Sequence, residues 1–439
     1  MTLRPDVVRI CSELIAIDTS NYGQAGATGE LRAAQYIDNL LRGAGYEPEL
    51  IEPAPTRANL VLRVPGSDAC LPGLLVHGHL DVVPADKDQW TVAPFEGLVN
   101  DGYVWGRGAT DMKDMVAMMV ATLLQWSVEG TRPRRNVVFA FVADEEEDGA
   151  LGAEWLARNR PELFDGVEAA VGESGGRGLV VEAPNGMTHR FYPIAVAERG
   201  SLHLHVRADG TAGHGSRPNP DNPVAHLVTG LARITAHRWP MTITNAPAEL
   251  LTVAARTLGL EVDLTSEGSV SALLDHLGPL REFVESSLRC STNVTVLNAG
   301  YKFNVIPSDA HAEIDVRSLP GSEEQQLAII DELLGPHVSR SFLSYRPAIG
   351  AGWDNPWYEA MAQTVLRHDP DGIVVPFCMG GGTDAKPFGE LGMLGFGFSP
   401  CGLDPEGRMP VGMHGVDERV PVSSLIDGFH MVEEFLRTV

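Results

Sequence analysis

Four consecutive acids, Asp144, Glu145, Glu146 and Glu147, follow the apolar run 136–142. Carboxylates at that spacing repel one another, so a site built there calls for a compensating cation. An isolated acidic run is more often a solvated turn. Its company shifts the balance. HGHLDVVP (77–84) and GRGATDMKD (106–114) precede it, VGESGG (171–176) follows it, and MHGVDERV (413–420) lies near the end. Carboxylate oxygen and imidazole nitrogen are the donors of hydrolytic metal sites. Here each group stands where an apolar run stops.

In HGHLDVV, a period of two puts His77, His79 and Asp81 on one side of an extended chain. A carboxylate two residues past a histidine is placed to hold its free ring N–H, which fixes the tautomer and raises its basicity. His79 as a ligand backed by Asp81 follows from this, although an HxD pair alone reads more simply as a structural histidine. His77 is expected to be a buried, hydrogen-bonded histidine. Asp111 stands between the glycine turn 106–108 and a helix, the usual place of an N-cap aspartate. As a ligand there it could bridge two metals. Glu173 at a strand end and His414 in a loop carry no reading alone.

The elements that must position these residues follow from periodicity. Strands at 59–64, 74–77, 136–142 and 168–172 alternate with helices at 5–16, 28–43, 111–129 and 150–159. That alternation predicts an α/β sheet with helices on both faces and ligands at the carboxyl ends of the strands. The methionines of 111–129 read as core rather than as ligands. After about Ile194 the pattern changes. The strand 201–207, helix 222–237, strands 293–298 and 311–317, helix 323–334 and strand 341–347 give a β-α-β-β-α-β order, the ferredoxin-like arrangement. The stretch 240–290 is expected to be extended and poorly defined. The expected division is a catalytic domain at 1–194 and 351–439, interrupted by an inserted domain at 195–350. The returning part carries a helix at 356–368, strands at 373–376 and 393–398, and a final helix from 423.

Of 439 residues, 33 are basic and 58 acidic, a net charge of −25. That balance excludes a nucleic-acid or anionic-membrane surface as the main partner. Five scattered cysteines without CxxC spacing read as reduced thiols. With no signal-peptide core and no run of 18 apolar residues, a cytoplasmic protein with no membrane partner is expected.

Taken together, HGHLDVVP, GRGATDMK, ADEE, ESGG, AGHGSRP, FNVIP, EIDVR, GGGTD and HGVDERV occur in the order that resembles the di-zinc hydrolases. That family includes aminoacylases, carboxypeptidase G, acetylornithine deacetylase and succinyl-diaminopimelate desuccinylase. The resemblance covers essentially the whole chain. It implies a zinc-dependent exopeptidase-like α/β domain with a mostly parallel sheet, interrupted by a ferredoxin-like α+β lid through which the chain forms a homodimer. It implies two Zn²⁺ ions, with Co²⁺ or Mn²⁺ as substitutes. One would be held by His79, Asp111 and Glu173, the other by Asp111, Glu146 and His414, with Asp81 orienting His79 and Glu145 as general base. His214 would stabilise the oxyanion, reaching the partner's active site in dimeric relatives. Asn304 and Arg317 would bind substrate polar groups. Gly382 and Thr383, in a glycine-rich turn, are expected to line the same pocket; no GK[ST] follows, so the turn is not a phosphate loop.

The expected function is metal-dependent hydrolysis of an amide or peptide bond in a small substrate with a free carboxylate, an N-acyl amino acid or dipeptide. Hydrolysis of another C–N bond, carbamoyl or amidine, remains open, as does a non-catalytic metal-binding scaffold. The presence of Glu145 beside a full ligand set speaks against the scaffold, which needs no spare base.

Overall fold

The computed structural model describes residues 5–23 and 26–439. The chain divides into two compact units. One comprises the residues to Val196, Ala351–Pro376 and Thr383–Val439; the other comprises Ala197–Gly350 and Phe377–Gly382.

The first unit is built on a mixed sheet. Its neighbours run in the order Glu49–Ala54, Arg57–Val64, Val137–Val142, Gly73–His79, Val167–Gly172, Leu394–Gly397 and Thr188–Glu198. The centre is parallel: Gly73–His79 pairs in parallel with both Val137–Val142 and Val167–Gly172, and Leu394–Gly397 extends it. Every residue of Val137–Val142 and of Gly73–His79 is buried, which explains why these strands read as continuous apolar runs rather than alternating ones. Alternate side chains serve two faces. Leu75, Val138, Ala140 and Val142 pack with Leu156, Phe164 and Phe388 on one side. On the other side Phe139 meets Trp126 of the helix Lys113–Glu129 edge to face.

That helix is buried along most of its length, including Met115, Met118 and Met119. It closes tightly on the central strand because Gly78 has no side chain: a Cβ there would lie 3.1 Å from Met112 Cε and 3.2 Å from Val116 Cγ2. The thioether of Met112 accepts the His79 backbone N–H at 3.3 Å, so this methionine supports the strand as part of the core. Buried Lys113 donates to the carbonyls of Leu14 (3.0 Å) and Ile17 (2.8 Å), fixing the start of the helix just after Asp111.

The second unit is a four-stranded antiparallel sheet in the order Ser291–Ala299, Asp309–Ser318, Gly200–Asp209, Ser339–Arg346. The helices Pro223–Ala236 and Glu323–Leu334 pack on one face through Leu227, Leu231, Ile330 and Leu334 against Leu202, Leu204, Val206 and Ile314. Gly230 lets the two helices touch, since a Cβ there would sit 3.0 Å from the Leu334 carbonyl oxygen. This is the ferredoxin-like order expected from the sequence.

The stretch 240–290 is not extended. It forms the helices Asn245–Leu258 and Glu267–Leu274, followed by two short 3₁₀ turns. Leu250, Leu251, Ala254, Ala255 and Leu258 give the first of these a buried stripe at helical spacing. Prolines 240 and 247 and the β-branched residues between them masked that stripe in the sequence.

Candidate metal centre

His79 ends its strand, Glu145 and Glu146 follow the strand Val137–Val142, and Glu173 follows Val167–Gly172. Gly73–His79 is the parallel neighbour of both other strands, so their carboxyl ends deliver these four residues to one edge of the sheet. Asp111 comes from the turn before the long helix and His414 from the loop between Val411 and Arg419. Asp144 (φ 71°), Ser174 (φ 67°) and His414 (φ 56°) adopt left-handed backbone. Side-chain-bearing residues hold that conformation where the surroundings over-determine it.

The geometry centres on Asp111. Its Oδ1 lies 3.0 Å from His79 Nε2, and its Oδ2 lies 3.0 Å from His414 Nε2. His414 Nε2 is also 3.1 Å from Glu146 Oε2. His79 Nε2 is 4.0 Å from Glu145 Oε2 and 4.0 Å from Glu173 Oε2. Donor atoms of His79, Glu145 and Glu173 lie within 4.8 Å of one another, as do those of His79, Asp111 and Glu146. Glu147 and Asp148, next along the acid run, are exposed.

The electrostatics follow from crowding four carboxylates around two imidazoles. Burial pushes the Glu145 carboxyl well above its usual range, and the charge on Glu173 adds to it. Glu173 is raised in the same way, by burial and then by Asp111. Burial acts upward on Asp111 too, but hydrogen bonds from His414 and His79 outweigh it and hold this carboxyl low. His414 is lifted to about 10 by its bonds to Asp111 and Glu146. Burial disfavours the charged form of His79, yet Asp111, Glu173 and Glu145 together raise it well above normal. The upward shifts of Glu145, Glu173, His79 and His414 share one contribution, an excess of negative charge that a divalent cation would neutralise.

Asp81 is fully buried but does not bond the His79 ring through its carboxylate. His79 Nδ1 faces the Asp81 carbonyl oxygen at 2.9 Å, and the nearest carboxylate oxygen is at 3.6 Å. The carboxylate instead accepts the backbone N–H groups of Glu145 and Glu146, both at 3.2 Å, and the Asn21 amide at 3.0 Å. Asn21 also donates to Asp144 at 3.0 Å. Arg57 donates to Asp144 at 2.6 Å and grips buried Glu30 with two nitrogens. The acid turn is therefore clamped by a network the sequence did not reveal. His77 is buried, but its Nε2 has no hydrogen-bond partner among the described residues. Its ring packs against Gly172, where a Cβ would come within 2.3 Å, and burial lowers its pKa to about 3.

The remaining candidates lie in the second unit, apart from Thr383, which falls in the first; the division passes between Gly382 and Thr383. His214 is exposed and pairs with Val305 in a two-residue ribbon, Gly215 N–H donating to the Asn304 carbonyl at 2.9 Å. The structure thus brings His214 and Asn304 side by side. His214 Nδ1 accepts the Ser216 N–H at 3.2 Å. Arg317 forms a two-pronged pair with Asp315, at 2.7 and 3.1 Å. Thr383 is largely buried, and its hydroxyl accepts the Ala385 N–H at 3.1 Å.

Comparison with known proteins identifies the family. The human N-fatty-acyl-amino acid synthase/hydrolase PM20D1 is 29% identical over 376 residues, covering 82% of this chain and 73% of its own. Human aminoacylase-1 is 28% identical over 415 residues, covering 92% and 89%. In fold, the chain is similar to the M20 family metallo-carboxypeptidase Sso-CP2 from Sulfolobus solfataricus, with a TM-score of 0.70, 17% identity and 98% of each chain covered. The model of peptidase family M20/M25/M40 matches residues 75–438, a span that takes in every residue of the centre, and the chain belongs to that family.

Proposed function

We propose that the chain hydrolyses the amide bond of a small substrate bearing a free carboxylate, an N-acyl amino acid or a dipeptide, with two Zn²⁺ ions. His79, Asp111 and Glu173 would hold one ion, and Asp111, Glu146 and His414 the other. The observation that carries this reading is that the two oxygens of Asp111 each face a different imidazole at 3.0 Å, the arrangement of a bridging carboxylate. The donor set fits, because imidazole nitrogen and carboxylate oxygen are zinc ligands and the buried acids need cations. Bound at such a centre, divalent cations supply Lewis acidity to a carbonyl oxygen and acidify an attacking water.

The chain's own residues do the rest. In this reading Glu145 is left as the base and not as a ligand, and it stands 4.0 Å from the His79 nitrogen. It takes a proton from water at its carboxylate and returns it to the leaving amine. Asp81 holds Glu145 and Glu146 by their backbone. His214 donates a hydrogen bond to the developing oxyanion, Asn304 beside it binds a polar group, and Arg317 grips the substrate carboxylate. Gly382 and Thr383 line the same substrate site. The names of PM20D1 and aminoacylase-1 support N-acyl amino acids as the substrate class.

A homodimer paired through the second unit belongs to the same reading. Supporting it, the strand Ser291–Ala299 lies at a sheet edge with Leu297 54% exposed. A cytoplasmic location is supported by the five free cysteines. Among the described residues no helix is long and apolar enough to cross a membrane. Metal analysis followed by hydrolysis of a panel of N-acyl amino acids and dipeptides tests the proposal. Protein with its metals bound that cleaves none of them would overturn it.

A further inference from the structure

Glu418 is a carboxylate with no exposure at all, four residues past His414. All of its hydrogen bonds reach back to the turn that presents Asp111. Oε2 accepts Arg107 Nη1 at 2.6 Å and the Gly108 N–H at 3.0 Å. Oε1 accepts the Thr110 N–H at 2.7 Å and the Thr110 hydroxyl at 2.9 Å. Its own carbonyl takes the Gly106 N–H at 2.9 Å. Arg107, also buried, returns the link by donating Nη2 to the Gly415 carbonyl at 2.8 Å, directly beside His414, and its guanidinium stacks on Trp90. Gly412 permits the close approach: a Cβ there would lie 2.8 Å from the Glu418 Cα.

Two loops far apart in sequence, one carrying Asp111 and the other His414, are thus bridged by one buried ion pair. No strand passes through either ligand; the antiparallel pairing of Tyr103–Trp105 with Arg419–Pro421 joins the bases of the two loops, and the ion pair is the side-chain link beyond it. His79 and Glu173 differ, since each is at the end of a parallel strand.

We propose that Glu418, with Arg107, is a positioning residue that sets the Asp111–His414 spacing and so builds chiefly the metal position those two residues share. The inference rests on the metal reading given above. Glutamine at 418 would put an amide N–H₂ against a group that can only donate, the Thr110 backbone N–H in one orientation or Arg107 and the Gly108 N–H in the other, and would release the latch without changing its volume.

The test is Zn²⁺ titration of the metal-free full chain against a competing chelator. Wild type is expected to bind two ions. Glu418→Gln should bind the ion shared by Asp111 and His414 about 10–100-fold more weakly, the usual loss for groups that orient ligands. The ion at His79 and Glu173 should be weakened by a smaller factor, since Asp111 reaches both. Its kcat should fall with KM little changed, and added Zn²⁺ should restore kcat. Arg107→Lys, which keeps the charge but loses the fork, should behave in the same way and carries the test if Glu418→Gln does not fold. Val365→Ala, a buried truncation in the helix Pro356–His368, serves as control and should lower stability without changing either affinity. Fewer than two ions on wild type would overturn the metal reading and the latch with it. Two ions on wild type and unchanged affinities in both variants would overturn the latch alone. So would an equal loss of affinity in the control.

Discussion

The His79 ring leans on the backbone of Asp81, with Nδ1 2.9 Å from the carbonyl oxygen and 3.6 Å from the carboxylate. A carbonyl can only accept, so it fixes Nδ1 as the protonated nitrogen and leaves Nε2 free as a ligand. The Asp81 carboxylate is thereby released for another task, organising the turn that holds Glu145 and Glu146.

Asp81→Asn should therefore leave the His79 tautomer intact and loosen the acid turn, because one acceptor oxygen becomes a donor facing an N–H. A buried N–H left unpaired costs about 1–3 kcal/mol. We expect a lower melting temperature and about 10–100-fold weaker Zn²⁺ binding. Wild-type affinity in this variant would show that the turn holds itself.

Glu145 and Glu146 are adjacent yet should fail differently. Glu145→Ala should keep both metals and lose about 10²–10⁴-fold in kcat, the range for general acid–base help. Glu146→Ala should lose metal as well, and Asp111→Ala should weaken both positions. Metal content measured beside turnover separates the three. Full activity in Glu145→Ala would assign the base elsewhere.

Asp114 offers a pH test at a residue that is not itself a ligand. Burial raises its carboxyl to about 7, outweighing the attraction of Arg177. The folded pKa lies above the ordinary 3.8, so the protonated form carries the stability. That contribution is complete below about pH 4, declines as pH rises through about 7, and is absent above. Asp114→Asn removes the dependence. Its melting temperature relative to wild type should rise between pH 5 and pH 8, by an amount reflecting a few kcal/mol at about 1.4 kcal/mol per pKa unit. A constant difference across that range would show that Asp114 ionises normally.

What the sequence disclosed and what it hid divide along physical lines. The helix Lys113–Glu129 and the buried strand Val137–Val142 announce themselves by period and by apolar runs, and His79, Glu145, Glu146 and Glu173 stand at strand ends where short motifs keep them together. The hidden residues act alone across long distances in sequence. Glu30 looks like a first-turn helix acid, yet it is fully buried against Arg57. Asn21 and Glu418 have no spacing relation to Asp81 or Thr110; only tertiary contact joins them. The motif HGVDERV contained Glu418, but its periodicity gave no reason to single it out. The helices at 245–258 and 267–274 are hidden for another reason, since prolines and β-branched residues around their starts favour an extended reading.

Arg317 supplies the last prediction, because its guanidinium is already paired with Asp315 at 2.7 and 3.1 Å. A substrate carboxylate would ask for the same planar fork, so Asp315 and substrate compete for one cation. Replacing the competitor and replacing the fork should then act in opposite directions. Asp315→Asn should lower KM for free-acid substrates, since a neutral amide is the weaker rival. Arg317→Lys should raise KM about 10–100-fold, because a hydrogen bond to a charged group is worth about 1.5–3 kcal/mol and lysine cannot form the pair of parallel bonds. Substrates whose carboxylate is amidated should be poor for wild type and indifferent to both changes. Matched KM series on free-acid and amidated forms of one substrate provide the measurement. Equal activity on the two forms with wild-type protein would remove Arg317 from substrate binding and leave it as the partner of Asp315.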